Sequence, residues 1–240
     1  MYATVQPFPQ SFELTPGDIY RDIHKAVRAN LFEAVLRAGR TDPADREQRI
    51  TLAAIVSDLA DFLAFHAHHE DEVLEPMIAE VLPEEAQAIS ASHEEFDAEI
   101  ERIRALAALV FADERDDARA SLHEMYLSLA TFTSRYLAHQ HVEERVVMPA
   151  LLERFGLEAV IAANERIVAS IAPDALAWGL AKMLPVMNAD DRFELLAGIR
   201  QTAPSEAFAG VLALAADVLD RDDHARLASW FQDESDRVPA

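Results

Sequence analysis

Two segments of this chain carry the same polar pattern, and that repeat constrains the fold more than any other feature. Residues 66–76 read HAHHEDEVLEP and residues 139–149 read HQHVEERVVMP. Each holds a histidine, a glutamate four residues on, a second acid directly after it, and a proline six residues beyond the glutamate. A lone histidine precedes each copy by a similar stretch, His24 before His66 and His93 before His139. On a helix, side chains four apart lie one above the other on a single face. Two such pairs and two single histidines therefore offer four nitrogens and two carboxylates to one point. That is the donor set of a redox-active transition metal.

The apolar periodicity around these residues tells which way they face. Leu122, Met125, Leu129, Phe132, Tyr136, His139, Glu143, Val146 and Ala150 alternate steps of three and four, the seam of a helix turned to a core. A second stripe runs Leu52, Ile55, Leu59, Phe62, His66, Glu70, Val73 and Met77. Two shorter ones run Ile89, His93, Phe96, Ile100, Ile103 and Tyr20, His24, Val27, Leu31. All six candidate ligands thus point inward. Burying an ionised carboxylate without a partner is very costly, so inward glutamates demand a cation. A single histidine on an apolar face is ordinarily a core residue bonded to a neighbour, and one His-x-x-x-Glu is ordinarily a surface pair. Four successive helices that each place a polar group on an apolar seam, in matching order, do not fit that reading.

Other metal sites fail on spacing. No histidine has a glutamate three residues before it, which removes the Glu-x-x-His of ferritin-like bundles, and there is neither a His-Glu-x-x-His nor an acidic calcium loop. His68, His69, His123, His141 and His224 lie off the seams and are expected at the surface or behind the site. A register shifted to His68-x-x-x-Glu72 fails in the second copy, where Arg145 stands four residues beyond His141.

The order His, His-x-x-x-Glu, His, His-x-x-x-Glu, with its two prolines, resembles the hemerythrin-like (HHE cation-binding) family over residues 15–155. The resemblance implies an all-α fold, an up-down-up-down four-helix bundle, around a non-haem di-iron centre that is oxo- or hydroxo-bridged. By motif, its ligands would be His24, His66, Glu70, His93, His139 and Glu143, with Glu70 and Glu143 bridging two iron ions. Oxygen-carrying members have a further histidine four residues from that of the third helix; here those positions are Asp97 and Ile89. The expectation is that Asp97 is a weaker oxygen ligand or that water takes the place. Either points away from reversible oxygen carriage and toward redox chemistry, peroxide handling, or sensing of oxygen, nitric oxide or iron.

Capping residues set the expected boundaries. Thr15-Pro16 with Asp18 predicts a first helix start, and Gly39 its close. Asp42-Pro43 opens the second helix, Leu82-Pro83-Glu84-Glu85 the third, and the acidic run 113–117 the fourth, which Gly156 ends. Short connections make consecutive helices antiparallel neighbours. Pro76 and Pro149 each remove a backbone donor and should kink or end their helix just beyond the glutamate. The bundle is expected over residues 1–155 and a C-terminal helical extension over 156–240, with helices opened by Pro173-Asp174, Asn188, Pro204 and Asp220. Similar extensions follow the bundle in many bacterial hemerythrin-like proteins. Segment 208–219 (FAGVLALAADVL) is apolar nearly all round and must be buried, either in a second helical layer or in a homodimer or partner interface.

Composition narrows the partners. The chain has 240 residues, 51% hydrophobic, with no cysteine, so thiolate sites, disulfides and iron–sulfur clusters are excluded. The N-terminal MYATVQPFPQSFEL has neither a basic start nor an apolar run, and no apolar stretch looks long enough to cross a membrane. A cytoplasmic location without a membrane partner is the expectation. A formal charge of −22 repels phosphate backbones, so nucleic acid is not an expected partner. Two functional classes follow. One is a di-iron protein that reacts with a small oxidant (O2, peroxide or NO), as an oxidoreductase or peroxide-consuming enzyme if enzymatic at all. The other is a metal- or oxygen-responsive module acting through a protein partner, or simple iron and oxygen binding and storage.

Overall fold

A computed structural model describes residues 17–112 and 118–235, with side chains to 231. The bundle consists of α1 (Arg21–Arg40), α2 (Arg46–Val73), α4 (Pro83–Ala112) and α5 (Arg119–Val142), with the short α3 (Glu75–Val81) between the second and third. Contacts run α1 to α2, α2 to α4, α4 to α5 and α5 back to α1, closing a ring of four. His24 lies in the first turns of α1, His66 near the end of α2, His93 early in α4 and His139 near the end of α5. Only up-down-up-down connectivity brings those alternating ends together. The fold is all-α, as the sequence implies; no strand occurs among the described residues.

The predicted seams are buried along α1 and α4 and as far as each motif glutamate in α2 and α5, apart from a half-buried Ile55. Leu31, Leu52, Leu59, Phe62, Met125, Leu129 and Phe132 form the centre of the core. Beyond each glutamate the register moves by one residue. In α5 the helix passes into a π turn, Glu143–Val147, closed by the Met148 N–H on the Glu143 carbonyl. Pro149 has no N–H, so an unbroken α-helix would leave the Arg145 carbonyl without its donor; the wider turn absorbs that loss. Val146, expected inward, is therefore 42% exposed, and Val147 and Met148 take its place in the core. In the first copy the chain breaks at Leu74 and restarts as α3 with Pro76 in its first turn. Leu74 and Ile78 are buried there, where Val73 and Met77 were expected.

Several caps differ from expectation. Thr15-Pro16 and the acidic run 113–117 lie outside the described residues. Asp18 does cap α1, accepting from the Tyr20 and Arg21 amides. Gly39 does not close α1, which runs on to Arg40; its bare Cα instead admits the Tyr126 ring, 3.3 Å from where a Cβ would sit. The cap of α2 is Asp45, which accepts from Glu47 and Gln48, while Asp42 forms a turn ahead of it. Gly156 does end the last bundle helix: within α6 (Met148–Ser170) its backbone, at φ 79° and ψ 167°, is non-helical, so two helices meet there at a kink, in a conformation glycine adopts without strain.

Past that kink, Val160 and Ala163 join Tyr20, Leu74, Ile78, Ile89 and Met148 in a second core over the end of the bundle. α7 (Pro173–Met183), α8 (Ala189–Thr202), α9 (Ser205–Val218) and α10 (Arg221–Ser235) follow, opened where the sequence predicts. Trp178 of α7 stands edge-on to Phe62 and Phe65 of α2. Leu184, Leu196, Ala215 and Leu227 hold the remaining helices to one another. Within the segment expected to be wholly buried only Ala215 is; Phe208, Val211, Leu212, Leu214, Val218 and Leu219 are half-buried, and Ala209, Ala213 and Ala216 are exposed. By length and composition α2 could cross a membrane, contrary to the sequence expectation. Its apolar residues are instead the bundle core, and it buries Arg49, His66 and Glu70.

Candidate metal centre

The structure brings all six predicted residues together, buried, at one end of the bundle: His24 (0% exposed), His66 (4%), Glu70 (8%), His93 (4%), His139 (8%) and Glu143 (1%). The imidazoles form two pairs, His24 with His66 at 5.1 Å between ring centres and His93 with His139 at 4.8 Å. The carboxylates stand between the pairs. Glu70 turns Oε1 to His66 (3.3 Å) and His24 (3.8 Å), and Oε2 to His93 (3.8 Å). Glu143 does the converse, with Oε1 3.0 Å from His139 and 3.9 Å from His93, and Oε2 3.4 Å from His24. Each glutamate thus gives one oxygen to each half of the site.

Whether this donor set fits a cation can be judged from its unmet hydrogen bonds. His24 Nε2, His66 Nε2, Glu70 Oε2 and Glu143 Oε2 are buried without a hydrogen-bond partner. Native proteins leave few such atoms, and four from one cluster ask for a common partner. His93 Nε2 and His139 Nε2 face each other at 3.0 Å, and share at most one proton between them. One ligand atom each from His24, His66 and Glu70 lies within 4.8 Å of the others, and the same holds for Glu70, His93, His139 and Glu143. Glu70 belongs to both groups. The donor set of either group fits a metal cation.

The electrostatics show the same strain. Burial, then the charge of Glu143, lifts the Glu70 carboxyl to about 7 despite the nearby imidazoles. Burial acts likewise on Glu143, but the hydrogen bond and charge of His139 outweigh it and hold that carboxyl below the usual range. Burial and the neighbouring histidines push His66 well below its ordinary value. His24 is pulled down by burial, yet Glu144, Glu70 and Glu143 together raise it to about 9.

Behind these six residues stand others to which the sequence assigned no role. His24 Nδ1 donates to Glu144 Oε1 at 2.9 Å, and His93 Nδ1 donates to Asp71 Oδ1 at 2.7 Å. Arg28 grips both Glu144 oxygens, at 2.7 and 3.0 Å. Asp71 and Glu144 are the second acid of each repeat copy, so the signal was present; what it lacked was any sign that the partners lie on other helices. Tyr20 and Tyr136, both buried, lie tilted against His24 and edge-on to His139, and were read only as seam residues. Asp97 is exposed and belongs to neither ligand group. His68, His123 and His141 are exposed, and His69 turns back to the Phe65 carbonyl.

A four-helix bundle that gathers histidines and shared carboxylates at one buried end is a cation-binding helical protein. More particularly, the chain belongs to the hemerythrin family, defined by the hemerythrin HHE cation binding domain, whose model matches residues 15–151. Among curated proteins and among solved structures, nothing matches.

Proposed function

We propose that His24, His66, Glu70, His93, His139 and Glu143 hold two iron ions, and that the protein reacts with or senses a small oxidant. The observation that carries this reading is the division of each carboxylate between the two histidine pairs. A single cation needs no such division, whereas two adjoining cations need shared anions to screen their repulsion. Bound here, an iron pair supplies two electron equivalents to an incoming oxidant. The chain's own part is to hold that chemistry apart from solvent. Tyr20 lies against His24, and Phe96 and Tyr136 lie against His139 with Phe132 behind them, and the low dielectric these rings create strengthens every charge contact beside them. Four imidazoles and two carboxylates, without Asp97, leave the His93 side one protein ligand short of the oxygen-carrying pattern. That favours oxidation over reversible carriage.

A contact favours regulation as the second reading. Asp191 of α8 is buried against Lys25 and lies 3.5 Å from Arg21, while Trp178 packs on Phe62. The C-terminal helices therefore grip the same stretches of α1 and α2 that carry His24 and His66. Whatever shifts those histidines reaches residues 173–192.

The experiment is optical. Anaerobically reduced, iron-loaded protein exposed to air is expected to develop ferric charge-transfer absorption that persists under argon. Absorption that disappears under argon over repeated cycles would make the protein a carrier, and no absorption at all would remove the iron reading.

A further inference from the structure

We infer that the acid directly after each site glutamate is a positioning residue that acts across the bundle, and that the two are unequally braced. Building on the two-cation reading, Asp71 of the first copy serves His93 on α4, and Glu144 of the second serves His24 on α1. Each carboxylate accepts the Nδ1 proton of its histidine, at 2.7 and 2.9 Å. That contact leaves the proton on Nδ1 and turns Nε2, the nitrogen facing Glu70 and Glu143, into the site. Hydrogen-bonded partners of this kind fix the tautomer and raise the basicity of a ligating imidazole. His66 and His139 are already oriented by the glutamate one turn on. One turn on from the lone histidines stand Arg28 and an exposed Asp97 outside both ligand groups, and the second acid of the repeat braces each histidine from another helix instead. The full unit is thus His-x-x-x-Glu-acid: one carboxylate for the cations, the next for a histidine elsewhere.

The bracing differs between the halves. Arg28 lies four residues after His24 on α1 and closes on both oxygens of Glu144, so α1 holds that carboxylate at two points. The Glu144 side chain is 23% exposed and the Asp71 side chain 41%. Glu144 cannot turn away from His24 without breaking a bidentate ion pair, and Asp71 carries no such clamp from α4. The His24–His66 position should therefore fill first and empty last.

Zinc serves as the probe, because it accepts the same nitrogen and carboxylate donors and is diamagnetic. In the zinc-loaded full-length chain, long-range nitrogen–proton correlation spectra should show protected Nδ1 protons on His24 and His93. Asp71→Ala should remove the His93 signal alone and weaken one of the two binding steps roughly 10–100-fold. Glu144→Ala should do the same for His24 and the other step. Asp71→Asn and Glu144→Gln, which keep an acceptor oxygen, should recover most of the lost affinity. With a chelator added in portions, the His93 shifts should revert before those of His24. Alanine variants that bind like the parent, or amide variants no better than alanine, would overturn the positioning role. Loss of the His24 signal first would overturn the unequal bracing. A parent chain that binds one zinc would instead count against the two-cation reading, while the Nδ1 protons would still report on the crossed contacts.

Discussion

At the scale of single residues the site is a set of charges that the metal-free protein accommodates poorly. Glu70, lifted to about 7 from 4.5, favours the folded state fully below about 4.5 and loses that contribution as pH rises through about 7. His24, lifted to about 9 from 6.5, has the same sign and loses its contribution as pH rises through about 9. Glu144 has the opposite sign: held at about 2, it stabilises above about 4.5 and ceases to as pH falls through about 2. Binding a cation requires the Glu70 proton and the His24 Nε2 proton to leave, so metal affinity should rise with pH, most steeply below about 7 where both are held, and level off above about 9. Calorimetric titration in buffers of different ionisation enthalpy should show proton release on metal binding, and a heat independent of buffer would contradict these positions. Substitution follows the same logic. Glu70→Ala and Glu143→Ala should each lose the paired site, while His68→Ala, His123→Ala and His141→Ala, all exposed, should keep full metal content. Loss of metal in His68→Ala but not in His66→Ala would mean a register wrong by two residues.

At the scale of the helices, the stripes were legible as far as each motif glutamate and misleading beyond it. A period of three and four assumes that one turn follows another unchanged. Pro76 and Pro149 announce a missing donor, but not whether the chain will break and restart, as at Leu74, or widen into a π turn, as at Glu143–Val147. The choice depends on what packs next, which no local pattern records. Val147→Ala should therefore cost about 1–3 kcal/mol in denaturant unfolding, while Val146→Ala should stay within about 0.5 kcal/mol of the parent. The reverse order would mean that α5 continues as an ordinary α-helix. The six clustered residues themselves were readable because they recur at helical spacing. Asp71 and Glu144 were visible as part of the repeat, but their partners His93 and His24 are far away in sequence, and Arg28 offered no signal before the fold joined it to Glu144.

At the scale of the molecule, α1, α2, α4 and α5 make the site and the later helices reinforce it. Trp178 reports on that joint, since it touches Phe62, one turn from His66, whereas Trp230 sits apart against Phe193. Iron loading should quench mainly Trp178, and Trp178→Phe should remove most of the change; quenching carried by Trp230 would show that the C-terminal helices respond as a unit. The C-terminal layer was the least legible part of the chain, because an apolar segment such as 208–219 does not say which of its faces is covered. The proposed function stands on two cation positions that share Glu70 and Glu143. The most direct measurement is an anaerobic ferrous titration with elemental analysis of the isolated product. Two iron ions per chain are expected, falling to one or none in Glu70→Ala. A reproducible single zinc per chain, undisplaced and unaccompanied after iron loading, would contradict the shared-carboxylate site.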